Sequence, residues 1–421
     1  MDLISELSQR GLIHDATDRD ALAARLAAST VGVYVGFDPT ADSLHVGHLL
    51  GQLSLRRFQI AGHRPVPLAG GATGMIGDPG GRSQERNLLD REALEHNLER
   101  ISSQLERILD FTPGPAAATL VNNADWTESM NVLDFLRDIG KHVTVNQMMA
   151  KESVKLRIQG DQGLSYTEFS YMLLQANDFR HLHREMGVEL QMGGSDQWGN
   201  IVTGIDLVRR TSGATVHGLT WPLLLKSDGT KFGKTADGAV WLDADKTSPY
   251  QFRQFWIQVD DDAIADLLLR FSMQSIEEIN SVIESHSSAP QHREAQRFLA
   301  DELTSLVHGD TATARAREVA DVLFGSDPTT ASAETLAAVA REIPCSKVAP
   351  SALEDAVELL VELGMATSKG DARRTISGRG YRVNGVVLQP EDTLSNTNLL
   401  HDRYLLFRRG KTGYHLVEIS R

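Results

Sequence analysis

Two histidines flank a glycine in His45-Val46-Gly47-His48, just after the apolar run Val31–Phe37 gives way to Asp38-Pro39-Thr40. A strand feeding a helix start offers backbone N–H groups and the positive end of the helix dipole, and both favour phosphate. Histidines at i and i+3 point the same way and can donate to phosphate oxygens, while Gly47 lets a ligand lie against the backbone. Surface histidines at a helix start are the plainer reading; the strand–turn–helix setting favours a nucleotide site. Tyr171, Gln175 and Asp178 form a second group. Their spacing of i, i+4 and i+7 puts three hydrogen-bonding side chains on one helix face, where a core stripe would carry Leu or Val. That face is either a polar ligand pocket or a solvent face.

Three loops complete the set. Gly193-Gly194-Ser195-Asp196-Gln197 ends a short apolar strand with glycines and a carboxylate suited to ribose hydroxyls. Lys231-Phe232-Gly233-Lys234-Thr235 is cationic and suited to a polyphosphate, or else an ordinary solvated turn. Gly80-Gly81-Arg82-Ser83-Gln84-Glu85-Arg86 is either a solvated loop or a lid whose arginines reach a leaving phosphate.

The elements that must position these groups read as strand, helix, strand. Val31–Phe37 is followed by a helix to Ala61-Gly62, then by a strand from Arg64 ending in Gly70, Gly71, Gly74, Gly77 and Asp78. Such a βαβ unit implies a parallel sheet with ligands at the C-terminal strand ends. Helical patterns cover 3–26 with a break at Gly11, and also 91–109, 132–139, 166–180, 198–210 and 248–323; 118–122 reads as a strand. Val143–Lys155, with Met148, Met149 and Val154, is a subunit contact or plain core. Asp327–Ser332 and Pro344–Pro350 read as linker, then two helices and a strand–Asn384-Gly385–strand unit follow. The expected domains are 1–220, a loop linker 221–247, a helical domain 248–325, a linker 326–350 and a final domain 351–421.

Composition narrows the class. The net charge of −14 argues against nonspecific binding of nucleic acid by the whole surface. Residues 364–421 nonetheless carry ten Lys and Arg against five Asp and Glu, a basic end suited to a polyanionic partner such as RNA. The single cysteine, Cys345, excludes an intramolecular disulfide. No apolar run reaches the roughly 18 residues of a membrane helix, and Met1-Asp2-Leu3-Ile4-Ser5-Glu6 does not begin a signal peptide, so a cytoplasmic location is expected.

The order of the motifs, Phe37–His48, then Gly193–Gln197, then Lys231–Thr235, resembles the bacterial tyrosyl-tRNA synthetases, within class I aminoacyl-tRNA synthetases. The resemblance spans essentially the whole chain. It implies an α/β fold: a Rossmann-like parallel-sheet catalytic domain, a helical domain and a small α+β RNA-binding domain akin to one in a ribosomal protein. The implied reaction joins tyrosine and ATP into tyrosyl-adenylate and pyrophosphate, then moves tyrosine to its tRNA. Carried over by position, Tyr34 and Asp178 would hold the phenol hydroxyl, and Asp78, Tyr171 and Gln175 the α-ammonium. Thr40, His45 and His48 would act on the ATP phosphates, with Gly36, Asp38, Gly47, Gly194, Asp196 and Gln197 around the adenylate. Lys231, Lys234 and Thr235, with Arg82 and Arg86, would hold the departing pyrophosphate. Lys369, Arg373, Arg374, Arg379 and Arg382 would face tRNA. The resemblance also implies a homodimer, no membrane partner, and no bound cofactor or metal beyond magnesium arriving with ATP. Val35 departs from the pattern: many relatives carry Cys there, whose thiol contacts the ribose.

The residue types agree with that chemistry. The tyrosine carboxylate is already a nucleophile, so aligning it and stabilising the departing pyrophosphate are what remain. Three rivals stand beside this reading. A tryptophanyl-tRNA synthetase would offer its pocket to an indole, which only donates, whereas Tyr34 and Asp178 suit a hydroxyl that donates and accepts. A nucleotidyltransferase shares His-x-Gly-His but has no use for the lysine loop and basic end. A non-catalytic RNA-binding relative would be expected to lack His45, His48 or Lys231.

Overall fold

The computed structural model describes residues 2–78, 90–151, 154, 155, 158, 163–225, 230, 232–235 and 238–420, with the side chains of Lys234 and Thr235 excepted. The chain forms two compact units, Met1–Val307 and His308–Arg421.

The first unit is built on five parallel strands: β1 (Gly32–Phe37), β2 (Arg64–Ala69), β3 (Val121–Asn122), β4 (Val188–Gly194) and β5 (His217–Trp221), in the order β3-β2-β1-β4-β5. Parallel strands covered on both faces read as nearly unbroken apolar runs, which is why Val33 and Val35 are buried together with Tyr34. The helices of this unit include α1 (Leu3–Gln9), α2 (Arg19–Ala28), α3 (Val46–Ile60), α4 (Thr73–Ile76), α5 (Arg91–Ile108), α6 (Ala124–Thr127), α7 (Val132–Asp138), α8 (Val145–Met149), α9 (Tyr166–Met186) and α10 (Trp198–Ser212), then α11 (Pro249–Ile257), α12 (Asp261–Phe271), α13 (Ile276–Ser288) and α14 (Glu294–His308). Side-chain oxygens start many of them: Asp2, Asp18, Asp90, Ser165, Ser248 and Ser275 each accept a first-turn N–H, relieving the unpaired donors of a helix end. The strand order reverses between β1 and β4, and such a switch point opens a crevice beyond the carboxyl ends of those strands.

Of the three residues singled out in 143–155, Met148 and Val154 are buried in a local core with Ile139, Met172 and Leu207. Met149, the third, is exposed, as are Val145 beside it on α8 and Val132, Leu133 and Leu136 of α7.

The second unit corrects two expectations. The division falls at Val307/His308, so α15 (Asp310–Leu323) groups with the C-terminal residues and not with the helices before it. The stretch 326–350 is no linker: it holds α16 (Ala333–Glu342), capped by Ser332, and β8 (Cys345–Val348), which pairs in parallel with the last strand, β12 (Gly413–Ile419). Pro344 punctuates the start of an edge strand there, a place where its missing N–H costs no ladder bond. The remaining strands are β9 (Tyr381–Val383), β10 (Val386–Val387), β11 (Tyr404–Arg409) and β12 (Gly413–Ile419), in the sheet order β10-β9-β11-β12-β8. Helices α17 (Ala356–Glu362) and α18 (Lys369–Ser377) cover one face, with Leu360, Ala372 and Ile376 against Tyr381, Val383, Leu405 and Phe407. A short two-stranded ribbon, β6 (Lys234–Thr235) with β7 (Gly238–Ala239), belongs to the first unit. Among the described residues no helix is long and apolar enough to cross a membrane.

Candidate active site

A cavity of about 340 Å³ lies at the β1/β4 crevice. Tyr34, Gly36, Asp38, Thr40, His45, Gly47, His48, Asp78, Tyr171, Gln175, Asp178, Gly194, Asp196 and Gln197 all line it. Residues from three distant stretches therefore meet in one place. Arg82, Arg86 and Lys231 lie outside the described residues, as do the side chains of Lys234 and Thr235.

One end of the cavity is dry and selective. Tyr34 is 1% exposed, and its hydroxyl has no hydrogen-bond partner among the described residues. Burial, and next the nearby Asp178, push its pKa well above the ordinary phenol value, so it stays a neutral O–H. Asp178 is equally buried; its Oδ1 accepts from Trp126 Nε1 at 2.9 Å and its Oδ2 from Asn123 Nδ2 at 3.0 Å. Burial raises its pKa to about 7, against the pull of those two donors. A carboxylate has about four acceptor positions, so two donors leave room for a ligand hydroxyl.

A polar chain continues from there. Asn123 Nδ2 donates to Thr73 Oγ1 at 2.9 Å, Thr73 Oγ1 to Asp38 Oδ1 at 2.8 Å, and Tyr171 Oη to Asp38 Oδ2 at 2.7 Å. Gln197 Nε2 donates to Asp78 Oδ2 at 2.6 Å, and Gln175 Nε2 to Gln197 Oε1 at 3.2 Å. Asn200 Nδ2 donates to Gln175 Oε1 at 3.0 Å. Thr73, Asn123, Trp126 and Asn200 were not singled out from the sequence. The signal available was weak: Asn122-Asn123 and Trp126 follow a strand end, as the glycines after β2 do.

The other end is the histidine turn. His45 is the N-cap of α3, its Nδ1 accepting the Gly47 N–H at 3.0 Å; His48 Nδ1 accepts the His45 N–H at 3.2 Å. An imidazole nitrogen that accepts an amide hydrogen carries no proton, which leaves Nε2–H as the donor of each neutral ring. The rings stack with centroids 3.9 Å apart and planes 24° from parallel. A Cβ on Gly47 would sit 2.8 Å from His45 Cε1, so only glycine leaves that ring in place. The lysine signature packs on this turn: at Gly233, with φ +82°, a Cβ would meet Val46 Cβ at 3.3 Å. Beyond it, Val46 N–H donates to the Val240 carbonyl at 2.9 Å, and Leu242 N–H to the Leu44 carbonyl at 2.8 Å.

Comparison with known proteins decides between the rivals. A family model described as tRNA synthetases class I (W and Y) matches residues 27–325, which leaves tryptophan and tyrosine both open. A second, described as the tyrosine–tRNA ligase SYY-like C-terminal domain, matches residues 335–417. The tyrosine–tRNA ligase of Opitutus terrae is 49% identical over the full length of both chains, and that of Geobacillus stearothermophilus 48%. This chain belongs to the tyrosine–tRNA ligase family. A crystal structure of a C-terminally truncated Aspergillus nidulans mitochondrial tyrosyl-tRNA synthetase shares the fold at TM-score 0.70 and 33% identity, covering 76% of this chain and 94% of that one. The expected α/β architecture, with a helical region and a small C-terminal α+β unit, is the one observed.

The five basic residues offered for RNA are not all brought together. Lys369, Arg373 and Arg374 lie on α18, where Lys369 pairs with Glu358 at 3.2 Å. Arg379 follows in a turn with φ +56°. Arg382 alternates with the core-facing Tyr381 and Val383, and so lies on the opposite face of the sheet, beside Arg408.

Proposed function

We infer that the chain is a tyrosine–tRNA ligase that forms tyrosyl-adenylate and pyrophosphate from L-tyrosine and ATP, then charges its cognate tRNA at the 3′ end. One observation carries the choice of tyrosine: a buried phenol, Tyr34, with no hydrogen-bond partner among the described residues, beside a buried carboxylate, Asp178, with acceptor capacity to spare. A substrate phenol can donate to Asp178 and accept from Tyr34. Phenylalanine would leave both unpaired in a dry pocket, consistent with the roughly 10⁵-fold discrimination established for this enzyme family.

In the proposed mechanism Asp78, Tyr171 and Gln175 receive the α-ammonium, which turns the substrate carboxylate toward the histidine turn. The Nε2–H groups of His45 and His48, with Thr40, donate to ATP phosphate oxygens. Those donors gain most as charge develops on the pentacoordinate phosphorus and the leaving pyrophosphate. Gly36, Asp38, Gly47, Gly194, Asp196 and Gln197 surround the adenylate. Lys231, Lys234 and Thr235, with Arg82 and Arg86, are assigned to pyrophosphate. Magnesium enters as the ATP complex. Val35 offers no thiol to the ribose, so ATP is held without that contact. The second unit, with Lys369, Arg373, Arg374 and Arg379 on or beside α18, is assigned to tRNA, and the cytoplasm, where tRNA is charged, is the proposed location.

The test is ATP–pyrophosphate exchange with tyrosine, tryptophan and phenylalanine supplied separately. Exchange with tyrosine alone is expected; exchange with tryptophan would void the roles of Tyr34 and Asp178. The same assay on a chain ending at His308, the last residue of α14, should retain exchange while losing aminoacylation, because the cut falls at the boundary between the two units.

A second copy of the chain is the proposed partner for the apolar face of α7 and α8, where Val132 and Leu133 are more than 70% exposed. Clustered apolar exposure of this kind marks an interface, and twofold pairing is the commonest arrangement. Sedimentation at micromolar concentration should give twice the 46.2 kDa chain mass. Leu133→Glu should shift it to the monomer, and a monomeric wild type would refute the pairing.

A further inference from the structure

The ladder formed by Val46 with Val240 and Leu242 with Leu44 sets Trp241 directly opposite His45. The indole and imidazole centroids are 6.1 Å apart with planes inclined by 59°, a tilted contact of the kind aromatic pairs favour. Trp241 is itself held from behind. Lys246 Nζ lies 5.3 Å from the indole centroid, and it pairs with Asp42 Oδ1 at 2.6 Å. The Trp241 N–H donates to Thr247 Oγ1 at 3.0 Å, closing the turn that returns Lys246 to the ring. Nearby, Asp243 pairs with Arg100 of α5, and its N–H donates to Ser43 Oγ at 3.2 Å.

A histidine ring needs such support. The torsion about its Cβ–Cγ bond is broad, and one hydrogen bond at Nδ1 fixes a point of the ring without fixing its tilt. His45 Nδ1 accepts the Gly47 N–H, and the ring packs beside the aromatic rings of His48 and Trp241. The tilt decides where Nε2–H is aimed. Among these neighbours Trp241 alone comes from the lysine-signature side of the chain.

We propose that Trp241 is a positioning residue for adenylate formation: its indole, backed by the Lys246–Asp42 pair, sets the tilt of the His45 ring and so aims its Nε2–H at the ATP phosphates. The inference rests on the tyrosine-activation reading above. It makes the segment leaving the lysine signature part of the histidine site, although Trp241 touches no substrate atom in this role.

The experiment compares Trp241→Phe, Trp241→Leu and Lys246→Met with wild type in tyrosine-dependent ATP–pyrophosphate exchange, with tyrosine affinity measured separately by equilibrium binding. Trp241→Leu should lower kcat by about 10- to 100-fold with tyrosine affinity unchanged, the scale of loss for a misaimed catalytic group. Trp241→Phe restores a ring and should stay within about threefold of wild type, with Lys246→Met between the two. The proposal is overturned if Trp241→Leu keeps wild-type kcat, if Trp241→Phe falls as far as Trp241→Leu, or if tyrosine affinity falls in step with kcat. Should Trp241→Leu fail to fold, Lys246→Met decides, since unchanged kcat there removes the support on which the indole depends. Absence of exchange in the wild type would instead reject the activation reading itself.

Discussion

Asp178→Asn should lower kcat/KM for tyrosine in the exchange reaction by about 10²- to 10³-fold, the scale of removing one side of a buried, charge-assisted hydrogen bond. Asp178 already accepts from Trp126 and Asn123, and a substrate phenol would be its third donor. An amide of the same shape has one acceptor oxygen and an NH₂ group that must face one of those donors. A pH signature accompanies the loss. Because burial raises the Asp178 pKa to about 7, the empty pocket holds a neutral acid at pH 6, and the proton must leave before the carboxylate can accept from the phenol. Tyrosine affinity in the wild type should therefore rise with pH up to about 7 and level off above it, and it should be flat across that window in Asp178→Asn. Stability runs the other way. With the unfolded acid near 3.8 and the folded one near 7, the folded state binds the extra proton in between. The unliganded fold is then favoured below 3.8 and loses that advantage as pH rises through 7, by about 4 kcal/mol in all. Between pH 5 and 7 the wild-type urea midpoint should fall relative to that of the variant, and the difference should level off above pH 7. A tyrosine dissociation constant independent of pH would contradict the assignment.

His45→Asn should separate folding from catalysis at the other end of the cavity. His45 caps α3 through Nδ1, and asparagine is among the best N-cap residues, so the change should cost at most about 1 kcal/mol of stability. What vanishes is the Nε2–H donor. Loss of one donor that strengthens only in the transition state costs on the order of 2.7–4 kcal/mol in related oxyanion sites, or 10²- to 10³-fold in kcat. Tyrosine affinity and the thermal midpoint should stay close to wild type while kcat for exchange collapses. An equal fall in tyrosine affinity would place His45 in ground-state binding instead.

Much of this site was legible because its chemistry needs polar residues where a fold would put apolar ones. Tyr171, Gln175 and Asp178 could be read as a pocket face because helical spacing is fixed by geometry, and all three line the cavity. His45 and His48 could be read as phosphate donors, but not their tautomers: those depend on the Gly47 and His45 amide hydrogens, which only a folded turn aims at Nδ1. Asn123, Trp126 and Thr73 could not be found by spacing, since they act on Asp178 and Asp38 across elements far apart in the chain. The linker assigned to 326–350 failed for a different reason. Pro328, Pro344 and Pro350 suggested a break, yet Ser332 caps a helix and Cys345–Val348 finds its partner strand near the C-terminus. Strand pairing at that sequence distance leaves no local mark.

The ladder between residues 44–46 and 240–242 fixes how this chain can change length. Between its two ends the backbone crosses exposed turns such as Thr112–Pro115. Extra residues there would cost only a slowly growing loop entropy. Inside the ladder the tolerance is nil: one added residue between Val240 and Leu242 would invert the side chains that follow, because alternate residues of an extended segment face opposite ways. Trp241 would turn from His45, and the lysine and histidine signatures would each stay intact in sequence while no longer meeting in register. Length variation in this chain is thus permitted by where its backbone is unpaired, and forbidden where two motifs share one set of hydrogen bonds.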